Sequence, residues 1–147
     1  MEFKYSELVL GMNKIEHIGI AVKSIANSAK LFDVLLNRES YKEEAVESEG
    51  VRTLFYQMGE TKIELLEATN PESAIAKFIE KKGEGIHHIA FDVTNIESEI
   101  ARLQNEGFEL IHKSPKSGAD GKIIAFLHPK STNGVLVELC QDNPALK

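Results

Sequence analysis

Two histidines and two glutamates stand at matching places in a sequence that nearly repeats itself. His17 lies in IEHIGIAV and His88 in IHHIAFDV, and a strand-like stretch with a carboxylate follows each, Glu64 in KIELLE and Glu138 in VLVELC. Imidazole nitrogens and carboxylate oxygens are the donors from which sites for Co²⁺, Ni²⁺, Zn²⁺, Mn²⁺ or Fe²⁺ are built. Two of each could hold one divalent ion between two related modules and leave positions open for a substrate. A single histidine in a strand is ordinarily a hydrogen-bonded core or surface residue, and a glutamate in an alternating strand ordinarily faces water. The fourfold repetition selects the metal reading.

The surrounding strands support that reading. A strand sends alternate side chains to opposite faces. His17, Gly19 and Ala21 therefore share one face, and His88, Ala90 and Asp92 share the matching one. Both histidines point away from the more apolar face, with small neighbours that leave room. Glu64 sits between Ile63 and Leu65, and Glu138 between Val137 and Leu139. A carboxylate in such a strand is costly to bury unless it is paired or metal-bound.

The elements that carry these residues read in the same order twice. Strand 15–22 leads to a helix over IANSAKLFDVLL, a weak strand at 39–47, a strand at 51–58 and a strand at 61–68 joined by a Gly59-Glu60 turn. A linker helix over 71–82, with Pro71 near its first turn, ends at Gly83-Glu84-Gly85. Strand 86–93, a helix ending at Gly107 and strands at 108–114, 122–127 and 135–140 follow. The expectation is an α+β fold of two tandem βαβββ modules, 14–68 and 86–141, forming a shared curved sheet around a metal cleft. Together they make one domain over 14–141, with residues 1–13 as an N-terminal extension and Met12 as an alternative start.

Composition narrows the function classes. The chain has 147 residues, is 42% hydrophobic and 27% charged, and carries a formal charge of −6. There is no basic stripe or RNA-binding aromatic motif, which argues against a nucleic-acid partner. No apolar run approaches the roughly 20 residues that cross a bilayer, so no membrane partner is expected. The acidic N-terminus is unlike a secretory signal, and the single cysteine, Cys140, excludes an intrachain disulfide. Both agree with a cytoplasmic protein. His87 and His112 do not repeat and read as structural or surface residues, while His128, in LHPK, organises a turn.

The pattern resembles the vicinal-oxygen-chelate superfamily, which pairs βαβββ modules around a divalent metal. Over residues 14–141, HIGIAV, KIELLE, PESAIAKFIEKKGEGIHHIAF and FLHPK…GVLVEL are similar to the methylmalonyl-CoA epimerase family. The resemblance implies an isomerase that epimerises methylmalonyl-CoA through an enolate. It implies one divalent metal ion per chain on His17, Glu64, His88 and Glu138, and a homodimer. It makes Glu138 both ligand and base. The position read as the family's second catalytic glutamate holds Thr53, which cannot act as a base near neutral pH. Glu64 is the substitute, with Glu47 and Glu49 as further candidates. The same four-residue set is associated with glyoxalase I, which applies enolate chemistry to the glutathione–methylglyoxal hemithioacetal. A non-catalytic metal- or drug-binding protein of the same fold is a third reading. The acyl-CoA tail would need cations outside the metal site. Lys116, Gly118 and Lys122, with Lys113 and Lys130 nearby, are the candidate substrate-binding residues.

Overall fold

The computed structural model describes residues 11–146. Their order is β1 (Met12–Ala21), α1 (Ile25–Leu36), β2 (Lys42–Val46), β3 (Val51–Met58), β4 (Thr61–Ala68), α2 (Ala74–Lys82), β5 (Gly85–Val93), α3 (Ile96–Asn105), β6 (Lys116–Ser117), β7 (Lys122–Leu127) and β8 (Val137–Asp142). The fold is α+β, and each half has the βαβββ order the repeat requires. Residues 1–10 of the expected extension lie outside the described residues, and β1 already includes Met12 and Asn13. Among the described residues no helix is long and apolar enough to cross a membrane.

His17–His87 pack as one compact unit, and the residues up to Glu16 pack with His88 onward as the other. In the first unit β1 runs parallel to β4, with Gly19 opposite Glu64, and β4, β3 and β2 follow antiparallel. A two-residue turn with Gly59 at φ 64° closes the β3–β4 hairpin, a left-handed conformation that suits glycine. One sheet face packs on α1. Ile20, Val22, Leu54, Tyr56, Ile63 and Leu65 meet Ile25, Ala29, Phe32 and Leu36 there.

In the second unit β5 runs parallel to β8, with Ala90 opposite Glu138, and β7 and β6 follow antiparallel. Here α3 supplies Ile96, Ile100 and Leu103 to a core with Val93, Ala125, Leu127, Val137 and Leu139. The start of β1 belongs to this unit. Asn13 Nδ2 donates to Asp92 Oδ2 at 3.0 Å, the Thr94 N–H donates to the Gly11 carbonyl, and Met12 packs on the core.

Two expectations change. The strand expected over 108–114 is not formed. Leu110 makes a single bridge to Leu127, the Ile111 N–H reaches the Phe126 carbonyl at 2.8 Å, and the chain then bends away. Phe108 and Leu110 anchor in the core, but Ile111 is exposed and residues 112–114 make no further ladder with β7. Ladder pairing resumes only in the two-residue β6. The linker helix begins at Ala74 rather than near Pro71. Asn70 Oδ1 accepts from the Glu72 N–H, forming a turn that holds Pro71 outside the helix, and Ser73 Oγ accepts from the Ala76 N–H as the true cap.

Candidate metal centre

Each unit brings its histidine beside its glutamate. In the first, His17 Nδ1 lies 3.1 Å from Glu64 Oε2; in the second, His88 Nε2 lies 3.5 Å from Glu138 Oε1. All four side chains are buried. The parallel registers explain the matching geometry. Each glutamate stands opposite the small residue two positions after its histidine, Gly19 in one case and Ala90 in the other. Histidine and glutamate are thus diagonal neighbours on one face, and on the histidine-bearing strand only a small residue stands opposite each glutamate.

A further repeated residue walls each pair. Phe55 is the antiparallel partner of Glu64, and Phe126 is the antiparallel partner of Glu138. Phe55 has no exposure, and the Phe126 ring meets the His88 ring edge-on at 5.7 Å. These phenylalanines were not singled out by the sequence reading, although both sit in β-rich strands one hairpin ahead of the glutamates.

A second repeat lies on the opposite face. Glu67 Oε1 accepts the Ile25 N–H at 2.7 Å, and Gln141 Oε1 accepts the Ile96 N–H at 2.7 Å. Both acceptors stand three residues after the site glutamate, and both donors open the helix that follows the site histidine. They satisfy N–H groups that a helix start leaves without an intrahelical partner. Ser24 and Asn95 cap the same helices at their next turn. The repeat therefore ties each site-bearing strand pair to its helix.

Two buried carboxylates each held against an imidazole are a donor set that fits a divalent ion. Burial raises the Cys140 thiol far above its ordinary range, and the Glu138 charge adds to the effect. Cys140 Sγ donates weakly to the Phe91 carbonyl at 3.6 Å. Thr53 is buried in β3 on the Glu64 face, where it offers a hydroxyl and no base. Glu47 and Glu49 lie in a 3₁₀ turn just before β3. That turn is tightly seated: a Cβ at Gly50, where φ is +63°, would lie 2.6 Å from Asn70 Nδ2.

The lysine and glycine candidates separate into distinct roles. Lys122 is largely buried; it bonds to Asp142 and approaches Glu16 Oε2 at 4.0 Å. Gly118 is required by packing, since a Cβ there would lie 2.8 Å from Ile124. Lys116 pairs with Ile124 in the β6–β7 ladder. Lys130 lies 2.5 Å from Glu109 on the surface. His128 does organise its turn, because Nδ1 accepts the Lys130 N–H at 3.2 Å. His87 packs edge-on against Phe78 at 4.9 Å, and burial followed by the Lys82 charge lowers its pKa to about 4.

Residues 16–126 match the model of the Glyoxalase/Bleomycin resistance protein/Dioxygenase superfamily. The chain is 42% identical to the protein YqjC of Bacillus subtilis, over 88% of this chain and 93% of that one. It is 38% identical to the mitochondrial methylmalonyl-CoA epimerase of Dictyostelium discoideum, over 88% of this chain and 79% of that protein. Its structure is similar to a Streptomyces coelicolor methylmalonyl-CoA epimerase variant in complex with 2-nitronate-propionyl-CoA. There the TM-score is 0.85 and the identity 32%, over 90% of this chain and 96% of that one.

Proposed function

Because this chain belongs to the glyoxalase/bleomycin resistance protein/dioxygenase superfamily, we propose that it is a metal-dependent epimerase interconverting (2R)- and (2S)-methylmalonyl-CoA. The observation that carries the reading is the duplicated, buried histidine–glutamate pair at the same strand register. His17, Glu64, His88 and Glu138 would hold one divalent ion. Co²⁺, Ni²⁺, Zn²⁺, Mn²⁺ and Fe²⁺ all suit these donors. When bound, such an ion supplies Lewis-acid stabilisation of negative charge developing on substrate oxygens.

The C2 hydrogen of methylmalonyl-CoA lies between a thioester carbonyl and a carboxylate, so its removal gives an enolate. Epimerisation takes a proton from one face and returns one to the other. Glu138 would serve as one base and Glu64 as the other, and both would also be among the residues that hold the ion. Phe55 and Phe126 stand beside the two carboxylates as their register partners. Glu47 and Glu49, on the seated turn before β3, are the alternative second base. Lys116 and Gly118 border the loop proposed to receive the acyl-CoA tail, and Lys122 would act there with its two carboxylate partners.

The protein is further proposed to be a cytoplasmic homodimer. The outer face of α1 exposes Leu31 at 61%, Val34 at 81% and Leu35 at 66%. The corresponding positions of α3 and its cap are Arg102, Asn105 and Glu106, so solvent suits that helix face with polar residues. A second copy is the favoured occupant because a chain of net charge −6 approaches its own kind best through a face poor in carboxylates. Leu31→Arg together with Leu35→Glu should convert the dimer to monomer in sedimentation analysis. A wild-type monomer at all concentrations would refute the assembly.

The reaction is tested by assaying metal-reconstituted protein side by side with methylmalonyl-CoA and the glutathione–methylglyoxal hemithioacetal. In deuterated water, deuterium should enter C2 of methylmalonyl-CoA as configuration scrambles. Turnover confined to the hemithioacetal would establish the lactoylglutathione lyase reading instead. Turnover of neither, with tight binding of a hydrophobic compound, would establish a binding protein.

A further inference from the structure

Beside the first histidine–glutamate pair lies a cation that the second lacks. Lys62 is only 8% exposed, in a residue type that is rarely buried. It is the register partner of His17 and stands two residues before Glu64 on β4. Strand alternation places Lys62, His17 and Glu64 on one face, and the contact between His17 and Glu64 confirms that parity. The equivalent position ahead of Glu138 is Leu136. The fold therefore builds this strand end without a charge in one unit and with a buried ammonium in the other.

Charge accounting gives that ammonium a purpose. A divalent ion with two carboxylate ligands and two neutral imidazoles has no net charge. A substrate with a carboxylate on its α-carbon brings one negative charge, and removal of the α-proton brings another. A fixed cation in a water-poor site offsets such charge far better than one in solvent. Positions two apart on a strand are roughly 7 Å from each other, so a flexible lysine stem can reach an anion bound next to Glu64.

We propose that Lys62 is the specificity determinant that recognises the carboxylate of an α-carboxyacyl thioester. The proposal rests on the epimerase reading and names the substrate group that its site selects.

The test uses metal-loaded protein and two non-epimerisable probes, malonyl-CoA and propionyl-CoA, which differ in that carboxylate. Wild type should bind malonyl-CoA the more tightly. Lys62→Met should reduce the preference by about tenfold or more, the scale of a lost charge-assisted bond. Its affinity for propionyl-CoA should stay within about twofold, well below the energy of one hydrogen bond. Lys62→Arg should retain part of the preference. If the Met variant fails to fold by circular dichroism, Lys62→Gln is read in the same way. An unchanged preference, or equal weakening of both probes, would overturn the proposal while leaving epimerisation intact. Failure of wild type to bind either thioester would overturn it together with the epimerase reading.

Discussion

The two modules agree on one face of their sheets and diverge on the other. On the site face, histidine, small residue, phenylalanine and glutamate recur at equal registers. Behind that face, α1 turns leucines and a valine outward where α3 turns polar groups, and a charged Glu67 caps one helix where a neutral Gln141 caps the other. The edge strands also differ, with five residues in β2 and two in β6. The site face has been kept equal in the two modules; the faces with different surroundings have not.

The largest effect should follow from breaking that equality. Replacing either His17 or His88 with alanine should remove most bound metal from dialysed protein, measured by elemental analysis. If one variant keeps full occupancy, the two pairs do not share a site. Next comes the division of labour between the carboxylates. Glu138→Gln should retain metal through the amide oxygen and lose roughly 10²–10⁴-fold in turnover, as removal of a general base does. Glu64→Gln should still exchange the C2 proton of one epimer with solvent while failing to invert it. Inversion at the wild-type rate would make Glu64 a ligand only, and the search for the second base would move to Glu47 and Glu49.

A smaller effect separates two adjacent histidines that belong to different units. His87, unlike His88, is buried against Phe78 with its pKa lowered to about 4. The neutral ring is favoured in the fold, so its contribution is complete above the ordinary value of 6.5. It is lost as pH falls from 6.5 to about 4 and is constant below that. The total is about 3 kcal/mol. Denaturant unfolding of His87→Phe should show a flatter stability profile between those pH values than wild type. An identical slope would place the sensitivity elsewhere. The smallest expected effect concerns the helix starts. Glu67→Gln should be nearly silent, since module two uses glutamine there. Glu67→Ala and Gln141→Ala should each cost about 1 kcal/mol in chemical denaturation. A large loss from Glu67→Gln would show that the carboxylate charge, rather than the hydrogen bond, holds α1.

The repeat was legible because its chemistry lies on residues of unusual type. His17, Glu64, His88 and Glu138 stand out in apolar strands, and parity alone assigns them a face. Phe55 and Phe126 were hidden because phenylalanine in a strand looks like any core residue until register sets it opposite a glutamate. Glu67 and Gln141 differ in type, so no sequence pattern links them; a tertiary hydrogen bond does. Residues 108–114 misled for a related reason. Their alternation is real at Phe108 and Leu110, but alternation cannot reveal that the ladder ends after Ile111. Lys122 reads in the sequence as a candidate for the acyl-CoA tail because the carboxylates that flank it, Glu16 and Asp142, lie far from it along the chain.

The interleaved composition of the units has a consequence for synthesis. Asn13 hydrogen-bonds to Asp92, 79 positions later. At translation rates of about 5–20 residues per second, the start of β1 waits roughly 4–16 s for the strand it joins. The other half of the same strand finds β4 sooner. During synthesis β1 is therefore only half committed, with an open edge in the interval. Slowing translation between residues 22 and 88 should lengthen that exposure and raise the demand for chaperones that shield unpaired strands.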